Sequence, residues 1–338
     1  MLAVRLHSAG ERLRLEEVPT PEPTGGEVRI RVAGCGVCRS DLHIVDGAQP
    51  KVELPVTLGH EVSGWIDATG PDATRPMRKT RLRVGDPVVV FGGWGCGSCR
   101  ECLALEEQRC PHGRSPGFQL DGGYAEYMLV PDQRHLVPLG AIDPIDAAPL
   151  ADAGLTPFRA VRRASPWLRP GARVLVIGLG ALGQFGLQYL RASNAGSEIE
   201  VAVRELEPIR LELAASLGAD LGLLGDAPLP WQADAVFDFV GSDTSLESAV
   251  RDLAPNGLLL VIGEDGGHFE VGIDRIPTEA WLSSIAWGAV DELHEVVRRA
   301  RRRKMRWSVE RMPLAEAEEA HRRLRAGEVE GRIVLVPG

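Results

Sequence analysis

Residues 173–183 constrain the fold more than any other stretch. Arg173-Val-Leu-Val-Ile177 is a short apolar run of the kind buried inside a parallel sheet. It passes directly into Gly178-Leu179-Gly180-Ala181-Leu182-Gly183, and a helical pattern follows over residues 181–192. The alternation then repeats: strand 199–203, helix 208–217 with Pro208 suited to its first turn, strand 235–240, helix 246–253 and strand 258–262. Strands alternating with helices predict an α/β, doubly wound parallel sheet with helices on both faces.

The three glycines give that sheet a chemical use. Gly178 permits a tight turn, Gly180 lets backbone approach a pyrophosphate, and Gly183 allows close packing of helix on strand. The helix start adds amides and a positive dipole end for phosphate, so a dinucleotide site is expected. Glu205 follows at about 20 residues, where a carboxylate accepts from a ribose 2′-hydroxyl, which favours NAD. Arg204 beside it is the feature that would instead suit a 2′-phosphate.

The N-terminal part reads differently. Residues 28–32 alternate as a half-buried strand, residues 62–66 and 88–91 are further strands, and Gly85-Asp86-Pro87 is turn chemistry. Short strands punctuated by Gly and Pro predict a partly open β-barrel. The C-terminal tail has a helix over 315–326 and a strand over 332–336, expected to return to that barrel. With 338 residues the chain should hold two domains: 1–150 together with 306–338, and 151–305.

The six cysteines lie at 35, 38, 96, 99, 102 and 110. Residues 1–15 lack the apolar core of an export signal, so a cytoplasmic location is expected and clustered cysteines read as metal ligands. Cys96, Cys99, Cys102 and Cys110 match a closed four-thiolate structural zinc site, in preference to an iron–sulfur cluster of ferredoxin spacing. Cys38 and His60 suit a second zinc, with Ser40 and His43 placed to carry a proton and Asp41 to orient a ligand histidine. Cys35 is read as a buried packing residue, and Trp94 and Trp287 as either pocket walls or core. The formal net charge of -9 argues against a nucleic-acid partner, and the basic run 298–306 is read as a solvated helix face. The most apolar stretch, residues 174–190, is too short and too interrupted by Gln184, Gln188 and glycines to span a membrane.

Together Gly36-Val-Cys-Arg-Ser-Asp-Leu-His43, Gly59-His-Glu61, the four-cysteine lobe and the Gly178 motif resemble the zinc-dependent medium-chain alcohol dehydrogenase family over nearly the whole chain. The resemblance implies a GroES-like catalytic domain beside a Rossmann cofactor domain, with one catalytic and one structural zinc. It implies Cys38 and His60 as catalytic-zinc ligands, Glu61 as an occasional alternate ligand, and Ser40 and His43 as the proton relay. It puts Asp152 at the third-ligand position, where many members carry cysteine. Arg39, Thr156, Arg210 and Arg332 are implied as cofactor contacts, with Glu205 at the adenosine ribose. The implied reaction is NAD-dependent interconversion of small-molecule alcohols with aldehydes or ketones, by a homo-oligomer with a tetramer favoured over a dimer. A polyol or amino-acid-alcohol dehydrogenase, or a relative that keeps the fold without the chemistry, are the alternatives.

Overall fold

The computed structural model describes residues 1–49, 51–73 and 82–338. The chain divides into two compact units, Met1–Leu155 with Gly288–Gly338, and Thr156–Trp287.

The second unit is the parallel sheet. Its six strands run in the order Leu221–Leu224, Glu200–Glu205, Arg173–Ile177, Ala233–Asp238, Leu253–Val261 and Trp281–Ser284. All neighbours are parallel. Numbered within the unit this is the order 3-2-1-4-5-6, which places the first strand, and the glycine turn after it, at the switch point where ligands bind. Its core is aliphatic: Leu175, Ile177, Val236 and Leu259 from the strands meet Ala249 and Leu253.

The first unit is β-rich. One sheet runs Val309–Pro313, Arg332–Val336, Val28–Gly36, Glu61–Thr69, Pro87–Val90 and Leu136–Pro138, with Tyr127–Val130 also paired to Val28–Gly36. A smaller sheet joins Arg14–Glu17, Leu2–Leu6 and Val56–Thr57. Alternating residues such as Val28, Ile30 and Val32 face a common core with Val62, Ile66, Val88 and Val90. The C-terminal strand enters this sheet antiparallel to Val28–Gly36, pairing Val334 with Gly36 and Leu335 with Cys35.

The unit boundaries differ from those read in the sequence, at 150/151 and 305/306. The short 3-10 helix Ala148–Ala151 packs on the strand Glu61–Thr69, so Asp152 belongs to the β-rich unit rather than to the parallel-sheet domain. The return begins at Gly288, because helix Val290–Arg301 buries Leu293, Val296, Val297 and Ala300 and packs on Leu136–Pro138. Arg302, Arg303 and Lys304 are exposed just past the end of that helix, the solvated face expected of the basic run.

Candidate active site

The strand Val28–Gly36 delivers the chain to Cys38, the N-cap of helix Arg39–Val45. Asp41 closes that cap, its Oδ2 accepting from Cys38 N at 2.8 Å. Its other oxygen, Oδ1, faces His60 Nδ1 at 3.5 Å, so one carboxylate both caps the helix and orients the imidazole. His60 lies just before the strand Glu61–Thr69, and Asp152 just after the 3-10 helix packed on that strand.

The sulfur of Cys38, a ring nitrogen of His60 and a carboxylate oxygen of Asp152 all lie within 4.8 Å of one another. Cys38 Sγ is 3.8 Å from Asp152 Oδ2, and His60 Nε2 is 3.6 Å from the same oxygen. A tetrahedral zinc with metal–ligand distances of about 2.0–2.3 Å sets its ligand atoms roughly 3.4–3.8 Å apart. One thiolate, one imidazole and one carboxylate leave the fourth position for substrate. Burial alone would lower the pKa of His60, yet Asp41, Asp152 and Cys38 raise it well above its ordinary value. The same three partners that favour a proton on the imidazole would favour a metal cation in its place. The residues present therefore fit a zinc ion.

Glu61 lies beside this trio and is fully buried. Its Oε1 accepts from Ala153 N at 2.9 Å and from Arg332 Nη2 at 2.6 Å. Its Oε2 is buried without a hydrogen bond among the described residues, an acceptor left over for a cation. Gly36 faces Glu61 across the sheet, and a Cβ there would lie 1.9 Å from that Oε2. Burial pushes the Glu61 carboxyl up, against the Arg332 guanidinium, which holds it down. Arg332 also reaches Cys38 Sγ at 3.5 Å and is only 5% exposed. The resemblance implies Arg332 as a cofactor contact; its side-chain partners within the chain are Glu61 and Cys38.

Ser40 and His43 sit on helix Arg39–Val45, three residues apart and so on one face. Ser40 Oγ is 3.8 Å from the buried Cys38 Sγ, and Ser40 and His43 are both half-buried. Arg39, at the first position of the helix, is exposed.

The cysteine lobe forms a second cluster. Sγ of Cys99 is 3.5 Å from that of Cys102 and 3.7 Å from that of Cys110, and the sulfurs of Cys96 and Cys102 are 4.0 Å apart. Those separations match the edges of a zinc–thiolate tetrahedron, about 3.8 Å, and not a disulfide of about 2.05 Å. Glu107 ties the lobe down. It accepts from Gly95 N at 3.1 Å, Arg134 Nε at 3.0 Å and His135 Nε2 at 3.0 Å. Trp94, considered above as a pocket wall, is buried in the barrel core and donates its indole N–H to Phe91 O. Cys35 is fully buried in the same core.

Burial would push the Glu107 carboxyl up, but His135 and Arg134 hold it at about 2, below its usual 4.5. A carboxyl lowered on folding stabilises above the unfolded value, and loses that contribution as the pH falls toward the folded one. Glu107→Gln should therefore lower the melting temperature at neutral pH and flatten its decline between pH 4.5 and about 2. Thermal melts across that range check this; unchanged acid sensitivity would contradict it.

In the parallel-sheet unit, each motif glycine does what its position requires. Gly178 has φ +85°, and a Cβ there would press on Val240. A Cβ on Gly183 would lie 2.1 Å from Gly178 O, whereas one on Gly180 would meet nothing within 4 Å, leaving room for a diphosphate. Glu205 ends the next strand. Its carboxylate accepts from Leu179 N in the glycine turn and from Leu206 N at 2.9 Å, with Arg210 Nη1 3.6 Å away. Arg204 points elsewhere: its guanidinium is buried and donates to Asp252 at 2.7 Å, Ser248 at 3.1 Å and Ala227 O at 2.9 Å. Thr156 is buried in the first turn of helix Leu155–Arg163.

Comparison with known proteins agrees with this geometry. Residues 24–141 match the model of the alcohol dehydrogenase GroES-like domain, and residues 224–335 that of zinc-binding dehydrogenases. The chain is 34% identical to an NAD-dependent alcohol dehydrogenase of Sulfurisphaera tokodaii, with both chains covered in full. It is 33% identical to the D-arabinose 1-dehydrogenase (NADP(+)) of Saccharolobus solfataricus, over 99% of this chain and 97% of that one. The crystal structure of the alcohol dehydrogenase from Aeropyrum pernix superposes with a TM-score of 0.90 at 33% identity, over the whole of both chains. The chain belongs to the zinc-binding alcohol dehydrogenase family, with a GroES-like domain and a Rossmann-type parallel sheet.

Two residues escaped sequence reasoning. Tyr124, fully buried, donates to Asp41 Oδ2 at 3.2 Å, and His321 Nε2 meets the same phenol oxygen at 3.2 Å. A faint signal existed for His321. It shares with Ala317, Ala320 and Leu324 the i, i+3, i+4, i+7 spacing of a buried helix face. Nothing around Tyr124 in the sequence marks it.

Proposed function

We propose that the chain is a zinc- and NAD-dependent oxidoreductase that interconverts primary or secondary alcohols with aldehydes or ketones. The convergence of Cys38, His60 and Asp152 on one buried point carries this reading. Zinc held there supplies a Lewis acid toward a substrate oxygen, and the nicotinamide supplies the hydride chemistry. The rest is done by the chain. Asp41 orients His60, and Glu61 and Arg332 complete the charge around the ligands. Ser40 takes the proton of the substrate hydroxyl and His43, one turn further on, passes it to solvent. The four cysteines hold a structural zinc. Gly178, Gly180 and Gly183 cradle the cofactor diphosphate, and Arg39, Thr156 and Arg210 complete the cofactor contacts.

NAD is favoured over NADP because Glu205 stands where a ribose 2′-hydroxyl would donate, while Arg204 is committed to Asp252, Ser248 and Ala227. A sugar or polyol hydroxyl is the second substrate reading, given the D-arabinose-oxidising relative.

No helix among the described residues is long and apolar enough to cross a membrane. We place the enzyme in the cytoplasm, where thiolates persist for zinc. Its assembly is a homo-oligomer through the parallel-sheet unit, a tetramer in preference to a dimer. The edge strand Trp281–Ser284 supports this, since Trp281 is 58% exposed and apolar edges are commonly covered.

Reduced-nicotinamide absorbance, followed with primary alcohols, secondary alcohols and aldoses and with each cofactor, tests the function. Turnover of alcohols with NAD is expected; no turnover with any of them would refute it. His43→Ala is expected to slow turnover about a hundredfold at neutral pH and to recover partly in alkaline buffer. An unchanged pH profile would remove His43 from the relay.

A further inference from the structure

The residues that hold Asp41 form a buried chain leading away from the metal-ligand trio, and neither the reaction nor the fold accounts for its length. Asp41 Oδ2 accepts from Cys38 N at 2.8 Å and from Tyr124 Oη at 3.2 Å. Tyr124 Oη is in turn 3.2 Å from His321 Nε2, with the two rings edge to face at 5.9 Å. His321 is carried by helix Ala317–Arg325 and is 6% exposed, Tyr124 and Asp41 are fully buried, and His60 is 2% exposed.

Donor counting orients every bond in the chain. Asp41 is acceptor-only as a carboxylate, so the single phenol proton of Tyr124 is donated to it. The phenol oxygen must then accept from His321, which fixes the tautomer of His321 with its proton on Nε2. Asp41 Oδ1 faces His60 Nδ1 at 3.5 Å, which favours a proton on Nδ1 and leaves Nε2 free to ligate a metal shared with Asp152 and Cys38. Two donors on one carboxylate oxygen restrain its rotation about the Cβ–Cγ bond, and with it the imidazole that the other oxygen faces.

We propose that Tyr124 and His321 are positioning residues for the metal centre, fixing the orientation of His60 through Asp41 and so setting how tightly the Cys38–His60–Asp152 trio holds its metal. This rests on the assignment of that trio as a zinc site. It extends the set of groups that orient the histidine to a residue on the C-terminal helix, 261 positions from His60 in the chain. That helix and the strand carrying Arg332 then both govern one site, His321 through the imidazole and Arg332 through Glu61 and Cys38.

The test measures metal binding rather than turnover. Zinc is titrated out of the full-length protein with a chromogenic chelator, and Co(II) is titrated into the emptied sites and followed by its visible d–d and thiolate charge-transfer bands. The wild type should show two distinguishable sites. Tyr124→Phe, which keeps the ring and loses the donor, should weaken the trio's site by about 10-fold or more and shift its cobalt bands, with the four-cysteine site unmoved. His321→Leu should act in the same direction and less strongly, and His321→Gln, which restores an N–H donor, should recover part of the loss. Trio affinity and cobalt bands unchanged in both Tyr124→Phe and His321→Leu would overturn the proposal. So would equal weakening at both sites, the sign of a general loss of fold. A wild type that binds metal only at the four cysteines would instead refute the zinc assignment itself.

Discussion

Cys38→Ser is expected to leave a folded chain that binds one zinc in place of two and turns over at least about a thousandfold more slowly. The sulfur is one of three donor atoms on the trio, and it also accepts from Arg332 Nη2 at 3.5 Å. A serine hydroxyl is a poor zinc ligand at neutral pH and is too short to restore the 3.8 Å spacing to Asp152. Changes one shell further out already lower metal affinity or activity about 10–100-fold, so loss of a ligand should exceed that. The fold should survive, because the N-cap bond at this position is made by the backbone N–H of residue 38 to Asp41 and not by its side chain. Metal analysis by mass spectrometry alongside the steady-state rate checks both halves. Two zincs per chain at wild-type turnover would remove Cys38 from the site.

Arg332→Leu should produce a large loss of stability in the β-rich unit. Arg332 and Glu61 are both buried, and the guanidinium nitrogen lies 2.6 Å from Oε1. Removing one member of a buried pair leaves an uncompensated charge, at a penalty of about 3–5 kcal/mol. In the variant only Ala153 N would still donate to the carboxylate. Burial already pushes the Glu61 pKa up, and losing the cation pushes it higher. A carboxyl raised on folding destabilises above its unfolded value and ceases to do so as it protonates. The deficit should therefore shrink as the pH is lowered toward the unfolded carboxylate range. Urea unfolding at neutral and at mildly acid pH measures this. A deficit below about 1 kcal/mol at neutral pH would show that the pair is not the brace described here.

The parts of this molecule that depend on local pattern were legible in the sequence. The apolar run 173–177 and its glycines announced the parallel sheet, because a strand buried on both faces and a diphosphate turn each demand particular residues in sequence. The four cysteines did the same, since a tetrahedral site built in one loop needs its ligands close together in the chain. What could not be read was set by contacts distant in sequence. Arg332 reaches Glu61 across 271 residues, and Tyr124 meets His321 across 197. No periodicity encodes such pairs. The boundary read at 150/151 fell just short of Asp152 for a related reason: the placement of that residue in the β-rich unit follows from packing of Ala148–Ala151 on a strand nearly ninety residues earlier, not from its own neighbours.

Anomalous diffraction at the zinc edge from crystals of the zinc-loaded chain bears on the central claim most directly. Two peaks per chain are expected, one enclosed by Cys96, Cys99, Cys102 and Cys110, and one within about 2.0–2.3 Å of Cys38 Sγ, His60 Nε2 and an Asp152 oxygen. A single peak at the four cysteines, or a second one away from that trio, would contradict the account.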